Sequence, residues 1–236
     1  MKTKVVDHSL RRWGLISQAI EDYLKTIYKL QHGGTENERV TTSVIADRMG
    51  VAAASATNMI KKLAEMHLLV HTPYQGVELT NAGEKIALET IRHHRLIELY
   101  LAQALGYPWD QIDAEADRLE HAISEEFEDR IDKALGYPTI GAHGEPIPTK
   151  QGKIEDLDYP RLSDLETGQP AIIRRVSDRN PEMLRYMDQM GLQLGTRVEV
   201  REKAPFSGPL QLKIDADKEE ALGLEVAYNI FVDLAP

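Results

Sequence analysis

Residues 41–79 read TTSVIADRMGVAAASATNMIKKLAEMHLLVHTPYQGVEL, and the order of elements they specify decides the fold. Thr41 or Thr42 offers a hydroxyl to cap a helix that buries Val44, Ile45 and Met49 and stops at Gly50. After Val51-Ala52-Ala53 a second helix is predicted from about Ala54 to Met66. It turns Met59, Ile60 and Leu63 inward and leaves Ser55, Thr57, Asn58, Lys61 and Lys62 outside. Two short helices joined by a tight turn form a helix-turn-helix. The apolar runs 68–72 and 77–79 flank Pro73-Tyr74-Gln75-Gly76 and read as two strands around a turn, a wing.

Working outward, Ile20, Leu24, Ile27, Tyr28 and Leu30 recur at helical steps and predict an amphipathic helix over 17–31 that carries Asp22 on its polar face. Thr80 can cap a long helix to about Ala104, and a further helix is expected over 111–123. Ser124 with Glu125 and Glu126 looks like the cap of another, ending at Gly136-Tyr137-Pro138. Ala-Leu-Gly-Tyr-Pro recurs at both helix ends as a shared stop. Residues 141–164 are rich in Gly, Pro and charge and read as a linker. Strands are then expected over 171–176, 197–201, 210–214 and 225–232, with one helix over 182–190. The fold class predicted is mainly α with a small β-barrel. The expected parts are a winged helix-turn-helix over 1–80, a helical domain over 81–140, the linker over 141–164 and the barrel domain over 165–236.

The 236 residues contain no cysteine, so disulfides, thiolate metal sites and cysteine nucleophiles are excluded together. No apolar run is long enough to span a bilayer, and the charged segment from Met1 to Trp13 lacks a signal-peptide core, so a cytoplasmic protein is expected. The net charge of -10 is unevenly placed: residues 1–73 hold ten Lys/Arg against seven Asp/Glu, and the remainder is strongly acidic. A mildly basic front on an acidic body suits a DNA reader with a second task.

Asp113, Asp117, Glu120 and His121 fall at i, i+4, i+7 and i+8, which lines three carboxylates and an imidazole along one predicted helical stripe. Like charges at this spacing cost roughly 0.2–0.5 kcal/mol per pair unless a cation neutralises them. His94 and Glu98 share a face of the preceding helix, and Asp22 adds a third source of ligands. Solvated acidic faces paired with Arg92, Arg95 or Arg118 are the plainer explanation of any single pair. An oxygen-rich set with imidazole and no sulfur suits Mn²⁺ or Fe²⁺ better than Zn²⁺.

With this order of elements, the segments His93-His94-Arg95-Leu96-Ile97-Glu98 and Glu115-Ala116-Asp117-Arg118-Leu119-Glu120-His121, followed by Gly144-Glu145-Pro146-Ile147-Pro148, resemble the diphtheria toxin repressor family of metalloregulators. The likeness covers nearly the whole chain, and its terminal barrel is similar to the SH3-like domain of longer members. The resemblance implies a metal-dependent repressor that binds palindromic operator DNA as a homodimer and controls metal-homeostasis genes, with no enzyme activity, organic cofactor or membrane partner.

It also implies a primary site of Asp22, Asp117, Glu120 and His121 and an ancillary site of His94, Glu98 and Asp113. Glu182 of the SH3-like domain, with Asp178 behind it, is the candidate extra ligand. Carboxylates at Asp22 and Asp117 favour the manganese-responsive branch over the iron-responsive one, although Lys25 stands where the manganese branch tends to place a glutamate. DNA contacts are expected from Ser55, Thr57, Asn58, Lys61 and Lys62, with Arg11 and Arg12 adding an N-terminal arm and Tyr74 and Gln75 at the wing tip. Ile112, Leu119, Ile123, Phe127 and Trp109 are the expected dimer contacts. A winged-helix sensor of a small organic ligand and a metallohydrolase are the alternatives.

Overall fold

The computed structural model describes residues 16–33, 39–215 and 218–235. Arg11 and Arg12, predicted to form an N-terminal arm, lie outside the described residues. The chain forms two compact units, one comprising residues 1–93, 120–123 and 148–153 and the other residues 94–119, 124–147 and 154–236.

The first unit begins with α1 (Gln18–Gly33), whose inward stripe holds Ile20, Leu24 and Ile27 without exposed surface. Each side chain so buried contributes about 1.5–3 kcal/mol. α1 packs on α2 (Thr42–Met49), which packs on α3 (Ala53–Glu65). Thr41 caps α2 by accepting from the Val44 N–H, and Gly50 ends it in the left-handed region at φ 63°. Ile45 and Ala46 fill the core while Val44 is exposed, so the inward face of α2 lies one residue further on than the spacing suggested. β1 (Leu69–Thr72) and β2 (Gly76–Leu79) form the antiparallel wing, with Tyr74 almost fully exposed at its tip and held by Arg39 Nη1 on its carbonyl at 2.8 Å. The long helix α4 (Asn81–Leu105) starts in this unit, where Arg92 Nη1 donates to the Pro148 carbonyl at 2.9 Å.

The second unit holds the rest of α4, then α5 (Ile112–Leu119) and α6 (Glu125–Ala134), which Ser124 caps by accepting from Phe127. Its remainder is a five-stranded antiparallel sheet of order β6-β5-β4-β3-β7, built from β3 (Pro170–Val176), β4 (Arg197–Lys203), β5 (Leu210–Ile214), β6 (Lys218–Leu222) and β7 (Ile230–Leu234). Register shifts at Ile173/Arg175 and Val200/Glu202 bend the two strands that carry them. α7 (Pro181–Met190) contributes Leu184 and Met187 to the sheet's core.

Two expectations change in this unit. Residues 225–232 are not one strand: a short helix α8 (Leu224–Tyr228) precedes β7, and β6 has no counterpart in the sequence reading. The short helix places Ala227 in the core.

The Gly/Pro-rich stretch from residue 141 is packed rather than solvated, since Gly141, His143, Gly144, Pro146, Ile147 and Pro148 are all buried. Its glycine at 144 has φ 90°, and a Cβ there would meet the Arg174 carbonyl oxygen at 2.0 Å, so the backbone approach requires glycine.

Candidate metal centres

In the first unit the side chains of Asp22, Glu120 and His121 offer ligand atoms that lie within 4.8 Å of one another. α1 supplies Asp22, and the turn that follows α5 supplies the other two. The helix was expected to continue to residue 123. It ends at Leu119, and the Glu120 carbonyl accepts from His93 Nδ1 at 3.1 Å, which satisfies a backbone oxygen at the helix end.

His121 Nε2 lies 2.8 Å from Asp22 Oδ1 and 3.3 Å from Glu120 Oε1, while Nδ1 donates to Glu21 Oε2 at 2.5 Å. Burial works to lower the His121 pKa, but the bonds to Asp22 and Glu21 and the charge of Glu120 outweigh it and raise it to about 9. Lys25 Nζ donates to both oxygens of Glu120, at 2.7 Å to Oε2 and 3.0 Å to Oε1. Both side chains are nearly inaccessible.

The second unit holds a separate set in which His94, Glu98 and Asp113 satisfy the same geometric condition. His94 Nε2 stands 3.4 Å from Glu98 Oε1 and 3.2 Å from Asp113 Oδ1. His94 Nδ1 lies 3.3 Å from Asp117 Oδ1, so within this unit the Asp117 carboxylate keeps company with His94. His143 brings Nδ1 to 3.5 Å from Glu98 Oε1 and stacks on Trp109, whose Nε1 donates to the Ala142 carbonyl at 3.2 Å. Burial pushes the Glu98 pKa up, and the imidazoles of His94 and His143 more than reverse this, leaving it well below the usual carboxylate range. Burial foremost, with the Asp178 charge second, raises the Glu145 pKa beside this set.

Among the described residues, Glu98 Oε1 and His143 Nδ1 are buried and face each other at 3.5 Å without an aligned hydrogen bond. Native proteins rarely leave such atoms unmatched, and a divalent cation at the second set would satisfy both by accepting their lone pairs. The donors are carboxylate oxygens and imidazole nitrogens with no sulfur, so the residues fit a hard or borderline divalent ion.

Glu182 is exposed on the first turn of α7, where its N–H bonds to the capping Asn180 and its carboxylate sits favourably at the helix start. Asp178, expected behind it, is the residue whose charge reaches His143 and Glu145. Glu21 and His143 escaped the sequence reading. Glu21 sits one residue off the stripe counted from Asp22, and His143 lies in a stretch without periodicity, flagged only by being an imidazole among glycines and prolines.

On α3, Ser55, Asn58, Lys61 and Lys62 are exposed, and the half-buried Thr57 donates its hydroxyl to the Ala53 carbonyl at 2.8 Å. Leu119 and Phe127 are exposed, Ile112 is fully buried, and the partly buried Trp109 packs against the core of the C-terminal sheet. No helix among the described residues is long and apolar enough to cross a membrane.

Comparison with known proteins accounts for nearly all of the chain. Residues 16–77 match the N-terminal DNA binding domain of iron dependent repressors, residues 80–149 their metal binding and dimerisation domain, and residues 161–234 the FeoA domain. The iron-dependent repressor IdeR of Mycobacterium tuberculosis is 29% identical over 225 residues, covering 90% of this chain and 96% of that protein. A manganese-dependent transcriptional repressor solved in complex with manganese is 36% identical with a TM-score of 0.84, covering 92% of this chain and 100% of that one. ScaR solved with bound Zn²⁺ is 34% identical with a TM-score of 0.75, covering 91% and 98%.

Fold, acidic sets and relatives together define a metal-dependent transcriptional repressor rather than an enzyme. The chain belongs to the diphtheria toxin repressor family, in the form that carries a C-terminal SH3-like FeoA domain.

Proposed function

We propose that this chain is a Mn²⁺-activated repressor, with Fe²⁺ as the alternative ion, that binds palindromic operator DNA as a cytoplasmic homodimer and controls genes of metal homeostasis. The observation that carries the reading is the approach of carboxylate oxygens to imidazole nitrogens within 3.5 Å at both sites: Asp22 and Glu120 at His121, Glu98 and Asp113 at His94, and Glu98 at His143. Asp22, Glu120 and His121 hold the first ion. His94, Glu98 and Asp113 hold the second, with Asp117 and His143 beside them in the same unit and Glu182 as the further candidate. The functional division follows residues 1–80 for DNA, 81–140 for metal and dimerisation, 141–164 as connector and 165–236 as the SH3-like part.

A bound divalent ion supplies positive charge where carboxylates otherwise repel. Asp22 anchors α1 to the turn bearing Glu120 and His121, and α1 packs on α2, which packs on the reading helix α3. Fixing α1 therefore fixes the reading head, so metal affinity and DNA affinity are reciprocally coupled. Exposed Asn58 and Ser55 are placed to read base edges, and Lys61 and Lys62 to hold phosphates. Leu119 and Phe127 are the apolar contacts of the two-fold interface, with Ile123 at its edge. A gel-shift titration of a promoter fragment with Mn²⁺, Fe²⁺ and chelator tests the proposal: binding that appears with either ion and vanishes on chelation supports it, and affinity indifferent to both refutes it.

A further inference from the structure

Lys25 is a buried cation seated on a carboxylate that the first metal site also requires. Its ammonium lies nearer Glu120 Oε2, at 2.7 Å, than Oε1, at 3.0 Å. Oε1 in turn is the oxygen that lies 3.3 Å from His121 Nε2. Both Glu120 oxygens thus accept from Lys25, Oε2 the more closely, and Oε1 also faces His121. A buried ion pair of this closeness persists because neither partner can recover its hydration without the other.

Resting on the metal-sensor reading above, we propose that Lys25 is the specificity-determining residue of the first site: a built-in cation that occupies the place of a second ion, limits the site to one divalent metal and restrains its affinity. The charges agree. Glu21, Asp22 and Glu120 supply three carboxylates, and the Lys25 ammonium leaves two negative charges, enough for a single divalent ion. A second ion sharing Glu120 would have to compete with the Lys25 ammonium, which bonds both of its oxygens.

The test titrates full-length protein with Mn²⁺, counting bound ions by electron paramagnetic resonance of the free ion, in a Glu98→Ala background that removes the second set. The parent is expected to bind one ion at the first site. Lys25→Gln should bind one ion at least about tenfold more tightly, because a unit charge within a few ångströms of a divalent ion is removed. Lys25→Arg should restore the parent affinity within about threefold, as charge rather than shape sets it. Lys25→Glu should bind two ions, and circular dichroism verifies that each variant is folded. One ion in Lys25→Glu together with unchanged affinity in folded Lys25→Gln overturns the role of Lys25 alone. No Mn²⁺ uptake by the parent, with none lost on Asp22→Ala, overturns the metal site itself and the inference with it.

Discussion

His121 donates from Nδ1 to the Glu21 carboxylate at 2.5 Å and thereby turns Nε2 toward Asp22, 2.8 Å away. A carboxylate behind a ligating imidazole fixes its tautomer and raises its basicity. Glu21→Gln should keep the fold and weaken Mn²⁺ binding at the first site by about 10–100-fold, the usual cost of losing such an orienting partner. Calorimetric titration checks it, and an unchanged affinity would show that Glu21 does not orient the ring.

The same imidazole makes metal binding pH-dependent. Burial opposes its protonation, yet Asp22, Glu21 and Glu120 raise its pKa to about 9, above the ordinary 6.5. An imidazole must be neutral at the ligating nitrogen, so a proton leaves as the ion enters. Mn²⁺ affinity at the first site should rise by about tenfold per pH unit between pH 6.5 and 8.5, with one proton released per ion. For the metal-free protein the sign reverses. A folded-state pKa raised above the unfolded one contributes stability fully present below about pH 6.5 and lost as pH climbs through 9, so the metal-free melting temperature should fall over that window.

His143→Ala removes an imidazole whose Nδ1 is buried without a hydrogen bond and lies 3.5 Å from Glu98 Oε1. The second site should lose at least about tenfold in Mn²⁺ affinity, while the first site, whose ligands lie in the other unit, keeps its own. Two-site titration curves separate the effects, and equal weakening of both would contradict the assignment.

Lys61→Ala and Lys62→Ala should each weaken operator binding on every sequence and reduce the slope of log affinity against log salt by about 1. Asn58→Ala should instead cost about 1–3 kcal/mol at the base pair it reads and leave the salt slope unchanged. Fluorescence anisotropy across a salt series distinguishes the two behaviours, which follow from exposure of all three side chains on α3.

Gly144→Ala tests the packing of the connector. A Cβ would stand 2.0 Å from the Arg174 carbonyl at a φ of 90°, so β3 must shift or the turn must open. A loss of several kcal/mol, roughly 3 or more, is expected from the combined clash and strain. Thermal unfolding measures it, and a change below about 0.5 kcal/mol, typical of a surface substitution, would contradict the close approach.

Much of the fold was legible because periodicity and punctuation agree. Thr41, Gly50 and Ser124 cap or stop helices where their chemistry allows, and the wing follows from two apolar runs around a turn. The error at α5 has a physical cause: no glycine or proline marks its end after Leu119, and the termination comes from Lys25 and His93 reaching Glu120 from distant sequence. That ending divides the stripe read from spacing alone, so that Asp113 and Asp117 approach His94 while Glu120 and His121 meet Asp22. Tertiary hydrogen bonds of this kind leave no local signature. The same holds for residues 141–148, whose glycines and prolines suit a solvated linker as well as they suit a packed turn.

Metal held by Asp22, Glu120 and His121 is proposed to govern DNA affinity. The most direct test is operator binding by the purified chain and by Glu120→Ala, each titrated with Mn²⁺ and then with chelator. Mn²⁺ is expected to tighten the parent's binding by at least about tenfold, reversibly, as a coupling near 1.4 kcal/mol requires, and Glu120→Ala is expected not to respond. Equal, metal-independent binding by both proteins would contradict it.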